Sequence, residues 1–376
     1  MKKKLLVICY RPPILGHSQN AQGQYYILQS TQKRFETRIM SFNASKISDQ
    51  NEKYFKKNDL TILKLFNLIF LGKSPRLTHF WDKVFYNKYK ATVEEFKPDL
   101  IYIDHILMMQ YPLKFSLDSR IWLYNEESQL YINKYKLRKS IFDLVKNFRL
   151  GDYEKKAISK ADKTFLITNQ ESEYLQSLGF NSVKTIPYAL DDSYFTYGWQ
   201  TKQNMFTLLF VGDYSHQPNQ EAARIICKKI YPAIKNLKIK IILVGRNISK
   251  IKKYINAEIA VYENVNDVRT FYWTSTLFIA PITSGAGMRI KILEAASCGI
   301  PIVMTPLANL GVNLNDSKEA FIESNIYGMI ERIKNIFNSD RSDLIKLSVN
   351  ANKKVNSLFG LDKMKKVYDN LFSVLL

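Results

Sequence analysis

The stretch APITSGAGMRIKILEAASCGIPIVMTP, residues 280–306, reads as a short apolar strand, a loop carrying two glycines, a helix beginning near Met288 and a second apolar strand. Strand, loop, helix and strand in that order form one βαβ unit of a parallel sheet. Gly285 and Gly287 let backbone approach a ligand closely, and the free amides that open a helix attract an anion. Arg289 and Lys291 add fixed positive charge beside that loop. Glu294, further into the helix, can accept hydrogen bonds from a ribose diol. The set suits a nucleoside diphosphate. The segment is neither a Walker loop nor a full GxGxxG, because Ile290 stands at the last glycine position. The plainer alternative is that Lys291 and Glu294 form a surface i,i+3 pair of ~0.2 to 0.5 kcal/mol and the glycines only make a turn.

Working outward, the same alternation recurs. TLLFVGDY from residue 207, KIKIILVGRN at 238–247, TLFIAPI from 276 and GIPIVMTP from 299 are apolar runs, each closed by a small or turn-forming residue. Gly212 with Asp213, and Gly245 with Arg246, thus fall at the carboxyl ends of strands, the edge at which open α/β sheets bind ligands. His216 follows in the loop after Asp213. A separate series begins at LLVIC, residues 5–9, with Gly16 and His17 in the following loop, a helix through YYILQSTQKRF and a strand over Thr37–Phe42. It continues through PDLIYI, IWLYN and TFLIT near residues 100, 122 and 164. The polar, turn-rich segment 186–205 reads as a linker. The expected fold is α/β, two Rossmann-like βαβ lobes over residues 1–195 and 196–355, followed by a helix at 356–376 that crosses back to the first lobe.

At 376 residues, 46 % apolar and 13 % aromatic, the chain has material for two packed cores. Cys9, Cys227 and Cys298 are odd in number, widely spaced and set among apolar residues, which fits neither a disulfide framework nor a zinc cluster and implies a reducing compartment. The amino-terminal apolar run is too short for a secretory leader and reads as a strand. The most apolar run, Leu60–Leu71, contains Lys64 and falls short of the ~18 residues of a membrane span. The net charge is +21, and residues 1–150 alone carry 26 Lys and Arg against 13 Asp and Glu. Basic residues interleave with aromatics from Lys53 to Lys97, as on a surface that meets anionic lipid. A Lys-rich genome is the plainer explanation. No zinc-finger spacing, RNP-type strand or heptad-plus-basic helix supports a nucleic-acid partner.

The 280–306 segment resembles the nucleotide-binding signature of GT-B glycosyltransferases, specifically family-four-like enzymes with a G-x-G-x-R-x-K-x-x-E-A pattern. FVGDYSHQPNQEAA at 210–223 resembles the opening of that family's donor lobe, and IPYALDDSYF at 186–195 its hinge. The resemblance spans residues 186–310 and, weakly, the first lobe. It implies two lobes facing each other across a cleft and retaining sugar transfer from a nucleotide-sugar donor to a glycan or lipid-linked acceptor. A cytoplasmic enzyme is expected from the cysteines, peripheral on the inner membrane face through the basic first lobe, with no cofactor beyond the donor substrate. The chain has no D-x-D motif, in keeping with metal-independent members. Donor contacts are expected from Gly16, Gly212, Asp213, His216, Gly245, Arg246, Gly285, Ala286, Gly287 and Glu294, and the chemistry from Arg289, Lys291, Asn125, Glu126 and His105. The chain departs from the pattern twice. Ala286 stands where many relatives carry a glutamate, and Tyr124 where many carry a histidine. Those departures keep two alternatives in view, a degenerate transferase retained as a binding subunit and a nucleotide-sugar 2-epimerase.

Overall fold

A computed structural model of the protein describes residues 2–10, 19–32, 34–42, 52–55, 75–134, 150–200 and 205–373. The chain divides into two compact units, Met1–Ala189 with Met364–Leu376, and Leu190–Lys363. The first runs β1 (Lys3–Cys9), α1 (Gln19–Gln32), β2 (Phe35–Phe42), β3 (Glu52–Phe55), α2 (Pro75–His79), α3 (Lys83–Phe96), β4 (Leu100–Asp104), β5 (Arg120–Asn125), α4 (Gln129–Lys134), α5 (Leu150–Lys160), β6 (Lys163–Leu166), α6 (Asn169–Ser177) and β7 (Val183–Thr185). Its strands form one parallel sheet in the order β3-β2-β1-β4-β5-β6-β7. Every residue of β4 is buried, as are the last five of β1. A parallel sheet covered on both faces requires such unbroken apolar runs, which is why LLVIC and LIYID were legible as strands.

The second unit continues with β8 (Phe206–Asp213), α7 (Gln217–Ile225), α8 (Tyr231–Ile234), β9 (Ile239–Arg246), β10 (Ile259–Glu263), α9 (Arg269–Thr274), β11 (Leu277–Ala280), α10 (Ile290–Cys298), β12 (Ile302–Met304), β13 (Phe321–Ile322), α11 (Ile326–Asn338) and α12 (Ser342–Phe359). The order β10-β9-β8-β11-β12-β13, all parallel, reverses direction between β8 and β11. That reversal leaves a crevice at the strands' carboxyl ends, where ligands of such sheets bind. The last helix, α13 (Leu361–Ser373), starts in the second unit and from Met364 belongs to the first.

Local boundaries differ from the sequence reading in two places. Helix α10 starts at Ile290 rather than near Met288, with Arg289 as its cap residue. The positive φ of Gly285 and Gly287, 89° and 75°, carries the loop two residues further than its composition suggests. The segment read as a linker from 186 is packed from Leu190 on. Leu190 N donates to Phe359 O at 2.8 Å, Trp199 Nε1 to Ser275 O at 2.9 Å, and Phe195 and Trp199 are buried. The units therefore divide at Ala189/Leu190 and not after residue 195.

The carboxyl-terminal helix supplies core to the first unit. Phe372 is 0 % exposed, its ring 5.3 Å from Trp122 and 6.2 Å from both Phe35 and Tyr102. Tyr368 Oη donates to Pro187 O at 3.3 Å. Truncating a buried phenylalanine forfeits its transfer energy and leaves a cavity, about 3 to 5 kcal/mol together. Phe372→Ala is therefore expected to lower the unfolding free energy of the first unit by that amount, read from urea unfolding followed by fluorescence, whereas Ser373→Ala, at the exposed end of the same helix, leaves it unchanged.

Candidate functional site

The crevice of the second unit is built on two paired strands whose ends are glycines. β8 and β9 run in register with Gly212 opposite Gly245 and Asp213 opposite Arg246. A Cβ on Gly245, at φ +153°, would lie 1.8 Å from Gly212 O. A Cβ on Gly212 would meet Asn219 Cγ and Lys291 Nζ, each at 3.0 Å. Only glycine leaves room at Gly245, and a side chain at Gly212 would have to displace Asn219 or the Lys291 amine. A Cβ on Gly285 would meet Pro218 Cγ at 3.0 Å and Arg289 Nη2 at 3.2 Å, so the glycine loop lies against the start of α7. The loop after β8, the amino end of α7 and the loop before α10 thus converge on one spot.

Lys291 is at the centre of it. Its Nζ donates to Asn219 Oδ1 at 2.6 Å and lies 4.5 Å from the centroid of Phe210. Asn219 is held in turn, its Nδ2 donating to Asp213 O at 2.7 Å. Although Lys291 as a residue is only partly buried, the amine itself sits against a ring and under a glycine. Burial pushes it down from an ordinary 10.5 to about 7, with the Arg289 charge lowering it further and Glu294 and Asp213 opposing. Arg289 curls back over the glycine loop, Nη1 donating to Ala286 O and Nη2 to Ser284 O at 3.2 Å. Two basic side chains are thereby held beside the glycine loop.

The other expected donor residues take distinct places. Asp213 accepts from Ser215 N at 2.9 Å and Asn247 Nδ2 at 2.8 Å, and Arg246 Nη2 lies 3.7 Å away. Burial raises the carboxyl, yet the Ser215 and Asn247 hydrogen bonds and the nearby His216 outweigh it and hold Asp213 below its usual range. His216 caps α7 through its backbone position, with Pro218 at the second helical residue. Glu294 is 1 % exposed, and Tyr272 Oη donates to its Oε2 at 3.2 Å. Ala286 is buried under the Arg289 guanidinium. Asn219, Phe210 and Tyr272 escaped the sequence reading. The signal for Asn219 was present in its place beside Pro218 at the opening of a helix after a glycine-ended strand.

In the first unit, His105, Tyr124 and Asn125 meet at the carboxyl ends of β4 and β5. His105 has φ 76°; its N donates to Tyr124 O at 2.8 Å and its Nδ1 accepts from Leu107 N at 3.2 Å. Asn125 is buried and gives Nδ2 to Glu154 Oε1 at 3.0 Å, while Leu130 N donates to Glu154 Oε2 at 2.7 Å. Burial pushes Glu154 up to about 8, against the Leu130 and Ser128 hydrogen bonds. Tyr124 is driven well above its usual value by burial, then by Tyr368 and Glu126. Glu126 is half-buried. A small depression is lined here by Arg76, His105, Glu127, Gln129 and Glu154. Glu154, reached by neither motif nor spacing, closes its floor. His79 is partly buried against Phe80, 5.0 Å between rings. Gly16 and His17 lie outside the described residues. Among the described residues no cluster of three or more His, Cys, Asp or Glu could hold a metal ion, and no helix is long and apolar enough to cross a membrane.

Residues 205–339, the span that holds the whole of this crevice, match the family described as glycosyl transferases group 1. That match covers most of the second unit, whose crevice residues from Gly212 to Glu294 all fall within it. The chain as a whole has the GT-B fold of solved glycosyltransferases. Sucrose-phosphate synthase from Thermosynechococcus elongatus superposes with a TM-score of 0.75 at 13 % identity, over 100 % of this chain and 99 % of that one. HepE of Anabaena, solved in complex with UDP and glucose, gives 0.71 at 13 % identity over 99 % of both chains. WaaG, a glycosyltransferase involved in lipopolysaccharide biosynthesis, gives 0.69 at 12 % identity over 98 % of this chain and 99 % of that one. No curated protein matches by sequence.

The lowered Lys291 amine gives the second unit a pH signature. The unfolded chain keeps this proton up to an ordinary lysine value of 10.5, while the folded chain gives it up near 7. The cost of burying the charge is therefore fully present below about pH 7, shrinks as pH rises and is gone above the unfolded value. Lys291→Met is expected to raise the thermal midpoint at about pH 6 and to raise it much less at about pH 10. Equal gains at both ends would show that the amine is not desolvated.

Proposed function

We propose that the protein transfers a sugar, with retention of configuration, from a nucleotide-diphosphate sugar to a hydroxyl of a glycan or lipid-linked acceptor. We place it in the cytoplasm, in bacterial surface-polysaccharide or glycoconjugate synthesis. The observation that carries this reading is the fixed pair Arg289 and Lys291 beside the glycine loop 285–287, at the carboxyl edge where β8 and β11 part. Cleaving the bond between a sugar and a diphosphate builds negative charge on the leaving group. Preorganised cations and amides that tighten onto that charge lower the barrier, and no metal ion is called for when two side-chain cations do this work.

Lys291 fits the task physically. A diphosphate beside its Nζ favours the ammonium form, so binding would take up a proton and gain a charge-assisted hydrogen bond that free protein lacks near neutral pH. Glu294 would meet the ribose only by offering the oxygen not engaged by Tyr272. In the first unit the depression beside His105 and Glu127 would take the acceptor, with Asn125 serving to hold Glu154 rather than reaching outward. His105, which lines that depression, would meet a sugar hydroxyl there, with Glu126 in the adjoining loop.

The UDP and glucose bound in the HepE complex make UDP the first diphosphate to try. In a thermal-shift series with UDP, GDP, CDP, ADP and TDP, one nucleotide is expected to raise the midpoint by several degrees, and Arg289→Ala and Glu294→Gln to abolish that rise while leaving the unliganded protein folded. No shift with any diphosphate would overturn the reading. Binding of the favoured nucleotide is further expected to weaken as pH rises above about 7, by no more than tenfold per unit since one proton is involved.

A further inference from the structure

Asn219 stands in the first turn of α7, its own N donating to His216 O at 3.1 Å. Its side-chain amide can point only one way. Asp213 O is a carbonyl and can only accept, so Nδ2 is the end that faces it, at 2.7 Å, and Oδ1 is left facing Lys291. The next residue adds a second tie, Gln220 Nε2 donating to Tyr214 O at 2.8 Å, so the start of α7 is fastened to the loop after β8 at two points. Gly212 leaves the amide its space, since a Cβ there would meet Asn219 Cγ at 3.0 Å and Nδ2 at 3.1 Å.

Lys291 Nζ has two contacts there, the Asn219 oxygen at 2.6 Å and the Phe210 ring, whose centroid is 4.5 Å away. An amide oxygen and a ring face both attract an ammonium, and neither carries a net charge. Among the described residues Lys291 forms no ion pair. Of the charged groups around it, Arg289 caps the same helix and Glu294 lies further along it. Asp213 follows β8, its carboxylate engaged by Ser215 N, Asn247 Nδ2 and the Arg246 guanidinium, with His216 acting on it from the start of α7. A carboxylate in place of the Asn219 amide would give the amine a standing counter-ion that an anionic ligand would have to displace.

We propose that Asn219 is the positioning residue of the diphosphate site: it holds the Lys291 amine beside the glycine loop with a neutral oxygen and so leaves the lysine's charge for the incoming ligand. This role rests on the transferase reading for the identity of that ligand. Burial leaves the amine's proton loosely held, and a diphosphate arriving beside it completes the ammonium, which a protein carboxylate at position 219 would already have done. A fastening role alone accounts for less of the geometry. Tying α7 to the loop after β8 needs only the Nδ2 donor, and Gln220 supplies a tie of the same kind, whereas Oδ1 is aimed at the amine.

A first experiment needs no nucleotide and compares thermal midpoints of the full chain at about pH 6, where Lys291→Met raises the midpoint of the otherwise unaltered protein. In an Asn219→Asp background the same substitution is expected to lower the midpoint, because it strips the introduced carboxylate of its partner. In an Asn219→Leu background it should raise the midpoint further, because the ammonium there has lost its acceptor. With UDP as probe in calorimetric titrations at about pH 6, Asn219→Asp should weaken binding about tenfold or more and abolish the fall in affinity above about pH 7. Asn219→Leu should also weaken binding but keep that fall. An unchanged Lys291→Met effect in either background would overturn the assignment by showing that Asn219 only fastens α7, as would UDP affinity in Asn219→Asp equal to that of the unaltered protein. Binding of no nucleoside diphosphate by the unaltered protein, with the sign reversal in the Asn219→Asp background present, would overturn the transferase reading while supporting the placing of the amine, so the two failures are distinguishable.

Discussion

The backbone of β9 passes so close to that of β8 that Gly212 O occupies the volume a side chain on Gly245 would need. Everything in the crevice depends on this approach. With no side chain on Gly212 either, the space above the strand end is taken by Lys291 Nζ and Asn219. A methyl at either glycine would force the two strands apart or expel the amine. The amine is thereby removed from water, left with one neutral amide as partner and the Arg289 charge nearby, and its proton becomes loosely held. A cation made expensive by its surroundings is one that an incoming anion relieves, which links the strand packing directly to ligand charge.

Polar groups at the carboxyl edge of the first unit follow a different logic. Glu154 is fully buried and keeps its proton to about 8, with Asn125 and the Leu130 amide directed at its two oxygens. Glu171, also buried, accepts from Ser128 N at 2.8 Å and Thr168 Oγ1 at 2.6 Å. Two interior carboxyls tie the loop after β5 to α5 and α6. Buried polar networks of this kind hold loop geometry when every member is satisfied. They give the His105 depression walls that neither the strand pattern nor any short motif could announce.

The first unit also depends on chain that arrives last. Phe372, Tyr368 and Met364 are buried in it although they lie beyond the entire second unit in sequence. Leu361 N donates to Asp192 Oδ1 at 3.1 Å, and Gly360 forms a bridge with Leu190, so the segment that leaves the second unit is secured beside the one that enters it. The first sheet's face over Trp122 is closed only when α13 is in place.

By itself the sequence determined the α/β class, the strands β1, β2, β4, β5, β6, β8, β9, β11 and β12, and the glycine loop with Arg289 and Lys291. Buried parallel strands must be continuous apolar runs, and close backbone approach must use glycine, so both constraints are written locally. The edge strands β10 and β13 were not legible, for β10 is only partly buried and β13 is two residues long. The partners of Asn219, Tyr272 and Glu154 were decided by tertiary structure. Each is polar, each acts through a partner between 22 and 72 residues away, and no local pattern records which distant group an amide, phenol or carboxyl will meet once the sheet has formed. The same holds for the domain boundary at Leu190, set by its bond to Phe359.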